Sequence, residues 1–221
     1  MLETSARRPT ARPVTRGWRR TTQGVACLVV LALAAAGCSD DEATAPKPDP
    51  TPLASLNTTS MEVPRIEFCG LVPDAAVRDA LDAKPDDDSS YGNGDEVELS
   101  GVGEQVVHEI GCEWSTDDGA AARAWVFARP VDVAFARTAF ASSRRTKGCE
   151  VDRRQAYGRP SVTQTCRLTD GTTRVRHAGL FRQTWLTCEV ASADPANDVA
   201  SLRERSDRWC VEVVNALNTG S

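Results

Sequence analysis

Apolar positions along the chain change pattern twice. Residues 25–36 form an unbroken apolar run, preceded by Arg7, Arg8, Arg12, Arg16, Arg19 and Arg20 against a single acid, Glu3. That run has the length of a secretory signal core and is too short to span a bilayer. Small residues Ala34, Ala35, Ala36 and Gly37 close it, and Cys38 follows. Residues 39–63 then show no period. Pro46, Pro48, Pro50 and Pro52 alternate with polar residues, so this stretch reads as an extended tether unable to bury a core.

Periods of 2 and 3.6 take over from residue 64. Pro73-Asp74 opens a short helix with Val77 and Leu81 at helical spacing. Residues 84–96 read as an acidic, Gly-containing loop. Over 104–115, Val106, His108, Ile110, Cys112 and Trp114 alternate with polar neighbours, which predicts a half-buried strand. Asp117-Asp118-Gly119 is a hairpin signal, and 122–129 is the return strand. Asp132 caps a helix over 133–145 that Gly148 ends. Strands around 161–168, 173–178 and 180–190 follow, the first two joined by Asp170-Gly171. Asp194-Pro195 starts a last helix with Val199, Leu202, Ser206, Trp209, Val213 and Leu217 along one face. Hairpins between helices predict an α+β domain, an antiparallel sheet with helices packed against it. Cys112 and Cys166 each precede a turn, a faint echo of a duplicated unit.

Three segments result: a signal peptide (1–37), a lipidated Cys with its tether (38–63), and one domain (64–221). Ala35-Ala36-Gly37-Cys38 resembles a bacterial lipobox. The resemblance implies cleavage before Cys38 and a diacylglyceryl and palmitate-type anchor on its thiol, which would place the domain on the outer face of the cytoplasmic membrane. The whole chain carries a net charge of −5, but the basic signal hides a mature chain much more acidic than that. Bulk-charge binding of nucleic acid is therefore not expected.

Six cysteines remain in the domain: Cys69, Cys112, Cys149, Cys166, Cys188 and Cys210. An even number in an exported chain predicts disulfides. Six allow fifteen connectivities; the expected one joins sequence neighbours, Cys69–Cys112, Cys149–Cys166 and Cys188–Cys210. There is no Cys-x-x-Cys pair and the two His are far apart, so no metal is expected. The Cys69-Gly-Leu-Val-Pro, Cys112-Glu-Trp and Trp209-Cys210 motifs resemble a group of actinobacterial cell-envelope lipoproteins of unknown function. That resemblance implies an exported envelope domain and supplies no catalytic residues.

Hydrolase, metalloprotease and phosphate-loop motifs are missing from the sequence. His108 and His177 lack a motif-paired nucleophile or acid, so no enzyme activity and no cofactor are expected. The acidic segment 84–98 partly matches a calcium loop, with Asp87, Gly92 and Glu98 in place and Tyr91 out of place. Arg144, Arg145, Lys147, Arg153, Arg154 and Arg159 form a dense basic run, a candidate patch for anionic headgroups or an acidic polymer. The opposing expectation is that acidic and basic segments interleave in the sheet and neutralise each other. The functional expectation is a non-enzymatic envelope module that binds an unknown protein. The alternative is a carrier or sensor of a small amphipathic ligand in a pocket between sheet and helix, with Trp125, Trp185 and Phe127 contributing.

Overall fold

The computed structural model of the chain describes residues 51–99, 103–152 and 156–219. The signal peptide, Cys38 and residues 39–50 lie outside the described residues, as do Arg153 and Arg154. Among the described residues no helix is long and apolar enough to cross a membrane.

The fold is α+β, as the alternation of periods predicts. Nine strands form in chain order: β1 (Asp87–Tyr91), β2 (Glu96–Leu99), β3 (Gly103–Val106), β4 (Glu109–Ser115), β5 (Ala121–Phe127), β6 (Cys149–Asp152), β7 (Ser161–Arg167), β8 (Thr173–Phe181) and β9 (Thr184–Ser192). Helices are α1 (Asp74–Leu81), α2 (Val133–Ser143) and α3 (Val199–Thr219). Seven strands make one antiparallel sheet in the order β1-β4-β5-β9-β8-β7-β6, and β2 pairs only with β3.

This order has a simple logic. Helix α1 precedes the meander β1-β4-β5, α2 precedes β6-β7-β8, and β9 fits between the two meanders. Both β5 and β8 run antiparallel to β9, so they run parallel to each other. The two helix-plus-meander halves therefore present their helices to opposite faces of the sheet. The echo in the sequence extends to the turns. Thr116 N–H donates to the Ala120 carbonyl around Gly119, and Leu168 N–H donates to the Thr172 carbonyl around Gly171. Both glycines have positive φ, 89° and 91°, which Gly adopts without steric cost.

Strand alternation then sorts the core into two clusters. On the first face, Cys112, Ala122, Ala124, Val126, Val175, Leu186, Cys188 and Val190 meet Val77, Ala80 and Leu81 of α1. They also meet Leu202, Trp209, Val213 and Leu217 of α3. On the second face, Val162, Ala178, Leu180 and Trp185 meet Val131 and Ala136 beside α2. Strand β9 is buried at every position because both layers cover it. Trp209 packs edge-on against Trp114 at 5.4 Å and donates its Nε1–H to the Arg123 carbonyl.

Three disulfides fasten these layers: Cys69–Cys112, Cys149–Cys166 and Cys188–Cys210. They tie the turn before α1 to β4, β6 to β7, and α3 to β9.

Several expected boundaries change. Residues 51–63, expected in the tether, form a strap on the domain: Leu53 and Val63 are buried, and Thr184 Oγ1 donates to the Val63 carbonyl at 2.7 Å. Leu53 reaches into the first-face core, and that apolar burial outweighs the extended preference of the surrounding prolines. The expected strand over 104–115 is two strands, broken at Val107-His108, because Val107 and Asp95 bond across the β2–β3 hairpin. The acidic loop contains β1, paired with β4 from Asp87 to Tyr91. Asp87 thus lies in an extended strand of the large sheet and Glu98 in β2 of the separate hairpin, not in one turn as a calcium loop requires. Strand β6 was hidden by its shortness, and α3 begins at Val199 rather than at Asp194-Pro195.

Candidate functional site

The second face of the sheet is only partly covered. Helix α2 packs over β7 and β8 and touches β5 through Phe135 against Phe127, leaving β1 and β4 without a helix packed on this face. Two features occupy the exposed part.

The first is a charged lattice around Glu189, a β9 carboxylate that is only 2% exposed. Register places Arg123 and Arg176 directly opposite it on the neighbouring strands. Arg176 Nε donates to Glu189 Oε2 at 2.6 Å, Arg123 Nη1 to Oε1 at 3.3 Å, and Arg174 Nε lies 3.5 Å from Oε2. Arg123 also bonds Glu113 at 2.6 Å. Burial by itself pushes the Glu189 carboxyl up, but Arg176, Arg174 and Arg123 outweigh burial and hold it below the ordinary glutamate range. Arg176 lies over the Trp125 ring at 5.2 Å. Tyr91 extends from β1 over Gly111, where any side chain would strike its ring. Burial, with help from Glu109, Glu113 and Glu189, pushes the Tyr91 phenol far up. Here acidic and basic segments do neutralise each other.

The second is a cleft of about 820 Å³ at the end of β5, walled by the β2–β3 hairpin on one side and the first turn of α2 on the other. The size lies within the range of small-molecule sites. Phe127 and Phe135 meet edge-on at 5.7 Å and, with Val131, make an apolar floor. Trp185, 4% exposed, packs with Val131 in the layer below. Val131 N–H donates to the Gln183 carbonyl at 2.8 Å, and the Asp132 carboxylate accepts from Phe135 N–H at 2.7 Å. These two bonds fix the wall that carries Phe135. His108, Arg129 and Gln105 line the rim. Glu109, also at the edge, is pushed up by burial and pulled down by Arg176. Phe135 is 50% exposed and Val106 51%, so the apolar floor continues to the mouth.

Of the three aromatic residues expected in a sheet–helix pocket, Phe127 lines the cleft, Trp185 supports it, and Trp125 lies farther along the same face under Arg176. His108 leaves the strand core for the cleft rim. The basic run divides. Arg144, Arg145 and Lys147 are exposed at and just beyond the end of α2, whereas Arg159 lines a separate cavity of about 360 Å³ on the first face. Between the two groups the chain runs through β6, the edge strand of the sheet.

That smaller cavity holds His177, which is 1% exposed. Thr163, opposite it in register, lies 3.0 Å from Nδ1. Asp207 Oδ1 of α3 lies 3.0 Å from Nε2, off the line of a hydrogen bond. Sequence motifs could not reveal this trio, because its members come from β7, β8 and α3. Leu53, Leu56 and Thr58 of the strap line the same cavity, and the Thr163 hydroxyl is itself buried.

Sequence reading missed Arg129, Val131 and Phe135; Phe135 carried a signal, an aromatic at the third position of a helix rather than on its buried stripe. No group of three or more metal-ligating side chains gathers among the described residues.

No family model matches the chain, and no curated protein matches it. Among solved structures, the extracellular domain of PknH from Mycobacterium tuberculosis is similar at a TM-score of 0.44 and 12% sequence identity, covering 71% of this chain and 97% of that chain.

Proposed function

We propose that the chain is an exported, non-enzymatic binding module, anchored through Cys38 to the outer face of the cytoplasmic membrane, that takes a small amphipathic ligand in the cleft beside α2. The observation that carries this reading is the cleft itself: an apolar floor of Phe127, Val131 and Phe135 that stays exposed to the mouth, ringed by Gln105, His108, Glu109, Arg129 and Asp132. A fully apolar ligand would leave that rim unmatched, and a fully polar one would leave the floor wet. An amphipathic molecule with its tail on the phenylalanines and its head at the rim satisfies both. The carrier reading is thus preferred over docking of an envelope protein. The six cysteines support export, since three disulfides of this kind persist in oxidising compartments.

The test is native mass spectrometry of the chain exported into an oxidising compartment and purified gently. A discrete extra mass that is lost on denaturation, and lost in Phe127→Ala, is expected. A bare chain from every preparation, with no uptake of a single-chain amphiphile such as lauric acid, overturns the carrier reading. The covalent mass at Cys38 reads the anchor separately.

A further inference from the structure

Helix α2 differs from α1 and α3 in what it leaves uncovered. Only Ala136 is buried in it, while Val133 and Phe135 are 48% and 50% exposed. Val106, across the cleft mouth, is 51% exposed. Phe135 and Val106 therefore stand at the opening of the cleft, and Val133 adds exposed apolar surface on the same first turn of α2 without lining it. From residue 133 to 149 the chain carries Arg137, Arg144, Arg145 and Lys147 and no acid; Asp132 and Glu150 flank that stretch, and Glu109 lies with Asp132 in the cleft lining. All four are exposed, and among the described residues none is paired with a carboxylate. Arg129 adds a fifth at the rim. Elsewhere on the domain, Arg123, Arg174 and Arg176 meet Glu189, Arg203 meets Asp152 and Arg208 meets Asp79, while Arg78, Arg159 and Arg167, each on a different segment, have no carboxylate of the described residues within 4 Å.

We infer that this face, α2 with the mouth of the cleft, docks on the anionic bilayer that holds the lipidated chain. The inference rests on the proposed anchor for its membrane, but not on any particular ligand in the cleft. Exposed apolar residues flanked by unpaired cations are the chemistry of an interfacial helix. The strap shortens the link. With residues 51–63 held on the domain, only residues 39–50 separate it from Cys38. Whatever their conformation, twelve residues reach at most about 43 Å, comparable to the diameter of a domain of this size. The domain cannot leave the surface, and any of its faces can turn to meet it. At the high effective concentration that such a link imposes, a weak patch is enough to choose the face. Docking turns the cleft mouth toward the lipid, so an amphipathic ligand can pass between bilayer and cleft without crossing water.

The experiment uses the mature chain with Cys38→Ser, so that the face and not the anchor is read, in cosedimentation with two kinds of vesicle. One kind contains about equal parts phosphatidylglycerol and phosphatidylcholine, and the other phosphatidylcholine alone. Binding to the anionic vesicles only, released by high salt, is expected. Each basic side chain near an anionic surface is worth about a fivefold change in partition. Replacing Arg137, Arg144, Arg145 and Lys147 together by Ala therefore weakens binding by two orders of magnitude or more. Phe135→Ser with Val133→Ser weakens it about tenfold. All are surface positions, and intact disulfides with unchanged circular dichroism confirm folding. Equal binding to neutral vesicles, no binding to either kind, or binding unchanged in the fourfold variant overturns the inference. A missing diacylglyceryl mass on Cys38 in the exported native chain would instead defeat the anchor, and it is read independently of the vesicles.

Discussion

Glu189→Gln isolates the electrostatics of the open sheet face. Glutamine keeps the volume of the side chain and one acceptor, but removes the charge that three guanidiniums share. Glu189 is 2% exposed, while Arg176 and Arg123 are 28% and 36% exposed. Removing one partner of a fully buried ion pair costs about 3–5 kcal/mol. Here the arginines can turn partly to water, which places the loss at the low end, about 3 kcal/mol at pH 7. The pH dependence has a definite sign. Glu189 has its folded pKa held below the ordinary value of 4.5, so its stabilisation is fully present above that value. It is lost as pH falls through the folded pKa. The gap between the native chain and Glu189→Gln is therefore wide at pH 7 and narrows toward pH 3. Urea unfolding with disulfides intact, followed by tryptophan fluorescence at both pH values, measures it. A loss under about 1 kcal/mol at pH 7, or a gap that does not shrink in acid, would refute the reasoning.

Other consequences concern packing and covalent restraint. Gly179 faces the Tyr157 backbone carbonyl so closely that no Cβ fits; Gly179→Ala should leave the chain unfolded or lower its melting temperature by more than about 15 °C, which thermal unfolding reads. Replacing Cys188 and Cys210 together by Ser opens a loop with a sequence separation of 22 and should cost about 3 kcal/mol in urea unfolding. The intact exported chain should weigh about 6 Da less than its fully reduced form, two hydrogens per disulfide; a deficit of about 4 Da would contradict one of the three pairings.

How much of this was legible in the sequence depends on where each signal resides. Helix α3 was readable because its inner stripe, Leu202 to Leu217, keeps one period and lies against one surface. The hairpins were readable because Gly119 and Gly171 sit where the turns need positive φ. Strand β9 shows no clear alternation, because Thr184, Thr187 and Glu189 are buried on one face or the other alongside Leu186, Cys188 and Val190, both faces being covered. The strap was misread because Leu53 and Val63 are single apolar residues in a polar, Pro-rich stretch, and only tertiary contact shows that they are buried. The basic run looked like one patch because charge along the chain says nothing of which face each strand presents. Phe127 was expected in a sheet–helix pocket only as one of three aromatic residues, and it lines the cleft. Phe135 and Arg129 were not expected there, because the cleft is made by three segments that meet only in the fold. Glu189 likewise looked like an ordinary polar position until register set Arg123 and Arg176 opposite it.

The central claim is that the cleft beside α2 holds an amphipathic molecule. A fluorescence titration with a dansyl-labelled fatty acid tests it most directly, using the mature chain with Cys38→Ser. One saturable site is expected, displaced by unlabelled lauric acid and weakened about tenfold or more by Phe127→Ala, which removes most of an aromatic floor contact. Non-saturable binding, or saturable binding that Phe127→Ala and Phe135→Ser leave unchanged in a folded chain, would contradict it.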